Sequence, residues 1–211
     1  MDSNYWKNRY KNEHFPSSPS KFAEWAIEFA YIQPGDRVLE LGCGNGRDSI
    51  WFATHGVNVF ACDQAKCKID FCPGLPVKFD FDLDFANYDQ MMERYGHLKF
   101  DQIYSRFTWH AISEQDENEV LFWSLELLKV GGQLLIECRS IYDYLFGEGK
   151  EISKNTFVYN GHTRRFINPG DLINKLFEYG YDTMLTDCQC GLAPYEEEDP
   201  KVLRIFATKV R

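Results

Sequence analysis

The chain has 211 residues, of which 44% are hydrophobic and 26% charged, a balance typical of a folded globular protein rather than a disordered one. This length predicts one domain over residues 1–211. Lysine and arginine total 23 against 32 aspartate and glutamate, which gives a formal net charge of −9. Because the chain is acidic and has no long basic block, nucleic acid is not an expected partner.

Membrane segments and metal motifs are both missing from the sequence. The N-terminus has no basic start followed by an apolar core, and no stretch approaches the roughly 20 apolar residues of a membrane span. The seven cysteines form no CxxC pair, and Cys188-Gln189-Cys190 has no second pair of ligands nearby. We therefore expect a soluble, cytoplasmic protein with reduced thiols, without a membrane partner and without a metal site.

Helices and strands are predicted to alternate along most of the chain. An N-terminal helical arm over residues 1–31 contains two amphipathic stretches, 5–13 and 20–31, with Ser20 as the expected N-cap of the second. Apolar runs and helical periodicity define the remaining elements. Strands are predicted at 37–41, 57–62, 77–81, 100–105, 133–138, 181–188 and 202–210, and helices at 45–55, 88–95, 114–128 and 169–179.

This order of elements predicts an α/β fold. The first strand, helix and strand lie within about 30 residues, so their crossover should be right-handed and the two strands parallel. We expect an open parallel sheet with helices on both faces. The segment 139–168 breaks the alternation, because its glycines, aromatics and charges follow no clear period. An insertion at the ligand-bearing edge of a sheet predicts a segment that covers the substrate.

A glycine-rich turn, Glu40-Leu41-Gly42-Cys43-Gly44-Asn45-Gly46, follows the first strand. Its glycines let the backbone approach a ligand closely, and the helix behind it offers free amide groups. Asp63 comes 63 − 44 = 19 residues after Gly44, a spacing at which a carboxylate reaches ribose hydroxyls in nucleotide-binding folds. The alternative is a tight loop without a ligand. A dinucleotide fingerprint would need glycine at position 47, which is arginine, so a nicotinamide-dependent oxidoreductase is the less favoured enzyme class.

The glycine spacing, with Glu40 two residues before Gly42, resembles motif I of the class I S-adenosylmethionine-dependent methyltransferases. The resemblance extends over most of the chain. It implies a Rossmann-like fold with a seven-stranded, mostly parallel sheet, a final antiparallel strand, and S-adenosylmethionine as the cofactor. In this family the residue matching Glu40 helps to hold the methionine end of the cofactor. The glycines, here Gly42, Gly44 and Gly46, pass beneath the cofactor, and the acid matching Asp63 binds the ribose.

Two other parts of the chain are expected near the cofactor by the same resemblance. Asp82, with Asp80 as the rival, would approach the adenine amino group. Trp6 belongs to an N-terminal arm that folds over the cofactor in such enzymes, where an aromatic face beside the sulfonium would gain roughly 0.5–2 kcal/mol. The alternative for Trp6 is ordinary packing in the core.

The residues after the fourth strand are candidates for the reaction itself. Ligands bind at the carboxyl ends of parallel strands, so Ser105 and Arg106 should lie near the transferred methyl group. His110 could act as a general base for an oxygen nucleophile, since its ordinary pKa lies near neutrality. The alternative is that His110 caps or packs on the next helix. Arg106 and His110 are therefore the catalytic candidates, and O-methylation is favoured.

Charged residues in the segment 139–168 are candidates for binding the acceptor. Arginine forks bind carboxylate or phosphate bidentately, so the pair at 164 and 165 favours a small anionic acceptor. An equally good alternative is that the arginines form solvated salt bridges with the acidic loop at 196–199. The predicted acceptor-binding residues are Arg139, Asp143, His162, Arg164 and Arg165.

A second, less specific resemblance concerns the acceptor. The elements Ser-Arg-Phe at 105–107, His-Ala-Ile at 110–112, Arg-Arg-Phe at 164–166 and Glu-Asp-Pro at 198–200 are similar to those of small bacterial methyltransferases from capsule and surface-glycan gene clusters. The N-terminal half also resembles tellurite-resistance and thiopurine-type enzymes. These resemblances imply a phosphorylated or carboxylated metabolite or glycan precursor as the acceptor. A cofactor-binding regulator without catalysis is a further alternative, and the sequence does not predict an oligomeric state.

Overall fold

The structure, a computed structural model, describes residues 3–12, 15–29, 31–69 and 73–210; Glu13, where the first predicted helix ends, and Cys72 lie outside them. The helices are α1 (Ser3–Asn12), α2 (Lys21–Glu28), α3 (Arg47–Thr54), α4 (Tyr88–Tyr95), α5 (Glu114–Leu127) and α6 (Pro169–Tyr179), with a short 3-10 helix at Trp109–Ala111. In this part of the chain, none of the helices combines the length and apolar character needed to cross a bilayer.

Ten strands complete the secondary structure of the described residues. They are β1 (Arg37–Leu41), β2 (Asn58–Asp63), β3 (Val77–Phe81), β4 (Phe100–Arg106), β5 (Leu128–Arg139), β6 (Lys150–Ser153), β7 (Thr156–Tyr159), β8 (His162–Arg165), β9 (Tyr181–Gln189) and β10 (Val202–Lys209). Seven of them form the main sheet in the order β3-β2-β1-β4-β5-β10-β9. The first five are parallel, and β10 runs antiparallel to both β5 and β9. The predicted seven-stranded, mostly parallel sheet is confirmed.

The strand order places the ligand-binding edge of the sheet. The chain winds from β1 to β3 on one side and from β4 to β5 on the other, so the order reverses between β1 and β4. In open α/β sheets, ligands bind beyond the carboxyl ends of the strands at such a reversal. The glycine turn after β1 and the segment after β4 both lie there.

Helices cover both faces of the main sheet. Along β4, Ile103 belongs to a buried cluster with Trp123 of α5, whereas Tyr104 belongs to a second cluster with Phe52 of α3. The rings of Phe52 and Tyr104 meet edge to face, with centroids 5.0 Å apart. A sheet buried on both faces explains why its strands are nearly continuous apolar runs.

Two segments differ in detail from the predicted elements. The segment 139–168 contains β6, β7 and β8, which form a separate antiparallel sheet. Its strands have only four residues each, too few to show an alternating pattern in the sequence. Its turns contain Asn155 (φ 57°) and Asn160 (φ 50°), both left-handed as hairpin turns require. The second difference is that β5 begins directly after α5, at Leu128, and runs through Gly131 (φ 77°), where a turn was predicted.

Candidate active site

A cleft of about 900 Å³ opens at the carboxyl ends of β1, β2 and β4. Its walls come from α1, the glycine turn, the connection between β4 and α5, β8, and the acidic loop at 195–198. This volume is within the range of small-molecule sites, which are roughly 300–1,000 Å³. The cleft brings together ten of the predicted site residues: Trp6, Glu40, Gly42, Gly44, Asp63, Arg106, His110, Arg139, His162 and Arg164.

The three glycines of the turn are all left-handed, with φ values of 70°, 56° and 74° at Gly42, Gly44 and Gly46. Gly42 and Gly44 line the cleft, whereas Gly46 faces β3. A Cβ on Gly46 would lie 2.7 Å from the ring of Phe79, and one on Gly42 would lie 2.7 Å from the hydroxyl of Thr108. Gly42 and Gly44 therefore present bare backbone to a ligand, and Gly46 allows close packing of the turn.

Asp63 is buried at the base of the cleft, where its carboxylate meets the glycine turn and the arm. Its oxygens accept hydrogen bonds from the backbone NH of Gly44 at 2.9 Å and of Ala65 at 2.8 Å, and the nearby Tyr10 hydroxyl also lowers its pKa. Burial raises the pKa of Asp63, and these hydrogen bonds oppose the shift. The Tyr10 hydroxyl also lies 3.0 Å from where a Cβ on Gly44 would be. Helix α1 thus closes over the turn, a role for Tyr10 that no spacing in the sequence indicates.

Glu40 is only 4% exposed and lies within a network of buried polar groups. The Ser49 hydroxyl donates a short hydrogen bond to its carboxylate. Burial and the nearby charge of Asp48 raise the pKa of Glu40. Asp48 in turn accepts hydrogen bonds from the Ser20 backbone NH and hydroxyl, both at 2.7 Å, and from the Tyr104 hydroxyl at 2.9 Å. These contacts join α2, α3 and β4 beneath the cleft, and Ser20 is the N-cap of α2, as predicted.

The remaining cofactor candidates do not line the cleft. Asp82 is left-handed (φ 58°), and its side chain is 70% exposed and 4.0 Å from the Lys7 amine. Asp80 is buried and accepts a hydrogen bond from the Tyr95 hydroxyl at 2.8 Å. Ser105 is fully buried, and its hydroxyl has no hydrogen-bond partner among the described residues. Contacts of Asp82 and Ser105 with the cofactor therefore stay predictions.

Arg106 lines the cleft, and its positive charge is paired with a buried carboxylate beneath it. Its Nε donates to Glu137 Oε1 at 2.9 Å, and Arg204 Nε donates to the other oxygen of Glu137 at 2.8 Å. Glu137 is completely buried. Because its guanidinium is anchored by this pair, the geometry favours a structural role for Arg106 over the predicted catalytic one.

Arg139 links β5 to the acidic loop. Its Nη1 donates to both carboxylate oxygens of Asp143, at 3.1 and 3.2 Å, and its Nη2 donates to Glu198 at 2.5 Å. Arg139, which is only 7% exposed, therefore pairs with the acidic loop, whereas the sequence alternative assigned that pairing to Arg164 and Arg165. Asp143 also accepts a hydrogen bond from the backbone NH of Leu145, so it orders the start of the insertion.

Arg165 lines a second cavity rather than the cleft. Its Nε donates to the carbonyl of Ile112 at 3.0 Å, and its Nη2 donates to the carbonyl of Trp109 at 3.2 Å and to Glu117 at 2.5 Å. These bonds hold the 3-10 helix that carries His110 against α5. The Nε and Nη2 groups of Arg165 are therefore both bound to protein groups.

Arg164 is the predicted arginine that is left available. It is half-buried and lines the cleft, and no described residue forms an ion pair or hydrogen bond with its side chain. Burial lowers the pKa of Arg164, and the nearby positive charge of Arg139 adds to this shift. Arginine stays protonated at neutral pH even so, and an anionic ligand would relieve both effects.

His110 lies between the cleft and the second cavity and is 5% exposed. Burial lowers its pKa well below the ordinary value, and the charges of Arg139, His162 and Arg164 act in the same direction. Its Nδ1 has no hydrogen-bond partner among the described residues. Helix α5 is capped by Ser113 instead, so the capping alternative for His110 is not observed.

His162 is buried against the arm. The Tyr5 ring stacks on His162 with centroids 4.0 Å apart, and the Trp6 ring meets it edge-on at 5.5 Å. Trp6 also lines both cavities, so it is part of the site as well as of the packing of α1. The arm therefore contacts both ends of the cleft, through Tyr10 at Asp63 and through Tyr5 and Trp6 at His162.

Comparison with known proteins decides the family. The sequence model of a family described as a methyltransferase domain matches residues 10–185. The chain belongs to this methyltransferase family. Phosphoethanolamine N-methyltransferase 1 of Arabidopsis thaliana is 31% identical over 117 residues, which are 54% of this chain and 23% of that protein. Sterol 24-C-methyltransferase erg6 of Schizosaccharomyces pombe is 26% identical over 187 residues, 84% of this chain and 48% of the yeast protein. The chain thus spans about a quarter to a half of the length of these relatives.

Solved structures share the fold of this chain. The CcbJ methyltransferase from Streptomyces caelestis matches with a TM-score of 0.71 and 16% identity, over 97% of this chain and 96% of that one. The 1,6-didemethyltoxoflavin-N1-methyltransferase of Burkholderia thailandensis, solved with S-adenosylhomocysteine, matches with a TM-score of 0.67 and 18% identity, over 90% and 77%. The predicted class I methyltransferase family and fold are confirmed, with S-adenosylmethionine as the cofactor of that class, and the nicotinamide alternative is not supported.

Proposed function

We propose that this chain binds S-adenosylmethionine in the cleft and transfers its methyl group to a small anionic acceptor held by Arg164. The cofactor, when bound, supplies a methyl carbon already activated by the sulfonium. Gly42 and Gly44 line the cleft and present backbone without a side chain to it. Asp63 offers the carboxylate for the ribose, and Glu40 is the candidate for the methionine end.

The anionic acceptor rests on one observation, the unpaired guanidinium of Arg164 in the wall of the cleft. Arg106, Arg139 and Arg165 are all held by carboxylates, so among the four predicted arginines Arg164 is the one that no described residue pairs with. A phosphate or carboxylate matches this planar fork bidentately. The Arabidopsis thaliana relative is named phosphoethanolamine N-methyltransferase. That name describes a phosphorylated small molecule as the acceptor, which supports an anionic acceptor for this chain too.

His110 supports methylation of an oxygen. His110 lies in the wall of the cleft with its Nδ1 unpartnered among the described residues, so its neutral imidazole is placed to accept the proton that a hydroxyl loses as it attacks the methyl carbon. Its lowered pKa makes it a weak base for this step. In this step the proton would move to a ring nitrogen of His110, the acceptor oxygen would bond to the methyl carbon, and the sulfur–methyl bond would break, which leaves S-adenosylhomocysteine as the second product. Alignment of the reacting atoms is the larger contribution, about 7–11 kcal/mol in well-oriented systems.

The test combines binding with product formation. Calorimetry should show binding of S-adenosylmethionine and S-adenosylhomocysteine but not of NAD, and a screen of phosphorylated and carboxylated metabolites should release S-adenosylhomocysteine. A protein that binds the cofactor and forms no product with any of them would instead fit the regulator alternative.

The arginine pair separates anion binding from structural effects. With the acceptor found in that screen, Arg164→Lys should raise KM about tenfold and leave cofactor affinity unchanged, because the charge remains but the bidentate fork is lost. Arg165→Lys is the matched control, since its fork binds only protein groups. Parental kinetics for Arg164→Lys would contradict the anion site.

A further inference from the structure

A second cavity, which we call the distal chamber, lies beside the cleft. It has a volume of about 600 Å³ and is bounded by the 3-10 helix, the first turns of α5 and α6, and the sheet β6–β8. Trp6, His110, Ala111 and His162 line both the chamber and the cleft, so the two spaces meet at the proposed site of methyl transfer. An acceptor held at Arg164 therefore has room to extend past His110 into the chamber.

The charges that line the distal chamber cancel in pairs. Lys154 lies 3.2 Å from Asp171, and Lys175 lies 3.1 Å from Glu114. Arg165 and Lys175 both bind Glu117 as well, at 2.5 and 2.7 Å. Three acidic and three basic side chains thus neutralise one another. A charged part of a ligand would find no unpaired counterion here, in contrast to the cleft with Arg164.

Uncharged polar groups in the chamber remain available. The Asn155 amide and the Thr163 hydroxyl line the chamber, and neither forms a hydrogen bond with any described residue. Both residues are half-buried, so a ligand would bind them with little competition from water. Trp6, Ile152 and Phe166 add apolar surface to the same walls. This combination suits a moiety that carries hydroxyl or amide groups around an apolar face.

We propose that the distal chamber binds a neutral, hydroxyl- or amide-bearing part of the acceptor, while Arg164 binds its anionic group. The acceptor is then bipartite, with the methylated group next to His110 where the two spaces meet. This inference rests on the proposed function, because it assumes that the anionic group occupies the cleft. The chamber itself can be tested separately.

The test uses the full chain saturated with S-adenosylhomocysteine and matched probes. Methyl phosphate and glucose 1-phosphate form one pair, acetate and glucuronate form the other, and methyl glucoside is the neutral probe. In the pair that binds, the sugar-bearing member should bind at least about tenfold more tightly by calorimetry, which corresponds to about 1.4 kcal/mol. Affinities within about twofold of each other would overturn the proposal.

Two variants and a control assign that difference to the chamber. Asn155→Gly removes the amide and suits the left-handed backbone (φ 57°), and Thr163→Val removes the hydroxyl without changing the shape. Each should lower the affinity for the sugar-bearing probe about three- to tenfold, the cost of one hydrogen bond. Asn160→Gly is the control, since Asn160 is also left-handed (φ 50°) but exposed in the next turn. Parental affinity in both chamber variants would contradict the proposal.

Failure of the proposed function gives a different result. If no anion binds, or if Arg164→Gln leaves anion affinity unchanged, the anionic site is wrong. Methyl glucoside then still reports on the chamber through ligand-observed NMR. Saturation transfer from the protein to its hydroxylated ring, lost in Asn155→Gly and kept in Asn160→Gly, would support the chamber, and its absence in the parent protein would overturn it.

Discussion

The half of the cleft around the glycine turn is held by hydrogen bonds to backbone, whereas the half around His110 is held by buried ion pairs. In the first half, Asp63 accepts from the NH groups of Gly44 and Ala65. In the second half, Glu137 binds two arginines, and Arg165 binds both a carboxylate and the carbonyls of the 3-10 helix. The contacts of Asp63 lie within one strand–helix–strand unit, whereas those of Glu137 and Arg165 join segments far apart in the chain.

This difference assigns different tasks to the two halves. Backbone hydrogen bonds fix the shape of a turn and leave its surface open to a ligand of constant structure. Ion pairs fix the position of charges, and they do so here for Arg106, Arg139 and Arg165 while leaving Arg164 unpaired. We therefore propose that the half around His110 selects its acceptor through the charge of Arg164, which no described residue neutralises. Changes in each half should consequently show in different measurements.

The largest effect is expected for the buried carboxylate of the second half. Glu137→Gln leaves the guanidinium groups of Arg106 and Arg204 without their counterion in the interior. Breaking a buried pair in this way costs about 3–5 kcal/mol, because a charge remains unpaired. We expect the free energy of unfolding, measured by urea denaturation, to fall by this amount.

An exposed pair provides the control for that experiment. Lys154→Gln breaks the contact with Asp171, in which both side chains are mostly exposed. Such pairs contribute only about 0–1 kcal/mol. If Glu137→Gln were no more destabilising than Lys154→Gln, the second half would not be held by its ion pairs, and the contrast between the two halves would be lost.

In the first half, the expected effect is on binding rather than on folding. Gly44→Val puts side-chain atoms where the Tyr10 hydroxyl lies, 3.0 Å from the new Cβ, and at a left-handed residue (φ 56°) beside the cleft. We expect affinity for S-adenosylhomocysteine to fall about 100-fold or more by calorimetry, which is about 3 kcal/mol. Gly161→Val is the matched control, since Gly161 is left-handed (φ 72°) with no atom within 4 Å of an added Cβ. Equal loss of affinity in both variants would mean that backbone strain alone is responsible.

The two halves of the cleft also differ in how far the sequence predicts them. The turn and Asp63 lie within one strand–helix–strand unit, so their spacing alone indicates that they meet. Arg164 and Arg165 were a single pair in the sequence, yet in β8 they point to opposite faces, one into the cleft and the other into the distal chamber. That separation could not be predicted, because the four residues of β8 carry no visible alternation. The partners Glu117, Glu137 and Glu198 come from three distant segments with no spacing rule.

The smallest effect concerns the charge state of His110 in the second half. Its pKa in the folded protein is lowered by burial and then by Arg139, His162 and Arg164, so the folded state resists protonation more than the unfolded state does. Between the folded pKa and the ordinary value near 6.5, the unfolded chain binds more protons, and stability therefore rises with pH. Above that window the contribution is constant. We expect the free energy of unfolding to fall on acidification below about pH 6.5, by up to about 1.4 kcal/mol per pH unit from this group.

Variants separate the contribution of His110 to the pH dependence of stability from that of other titratable groups. His110→Leu should flatten the dependence of stability on pH over the same window, because the imidazole that resists protonation is gone. His97→Gln, at an exposed histidine, should leave the parental slope unchanged. A parental slope in His110→Leu would show that other buried groups carry the effect. Protonated His110 would also add a positive charge beside Arg139 and Arg164. The same pH titration of stability therefore reports how strongly these positive charges repel one another when no ligand is bound.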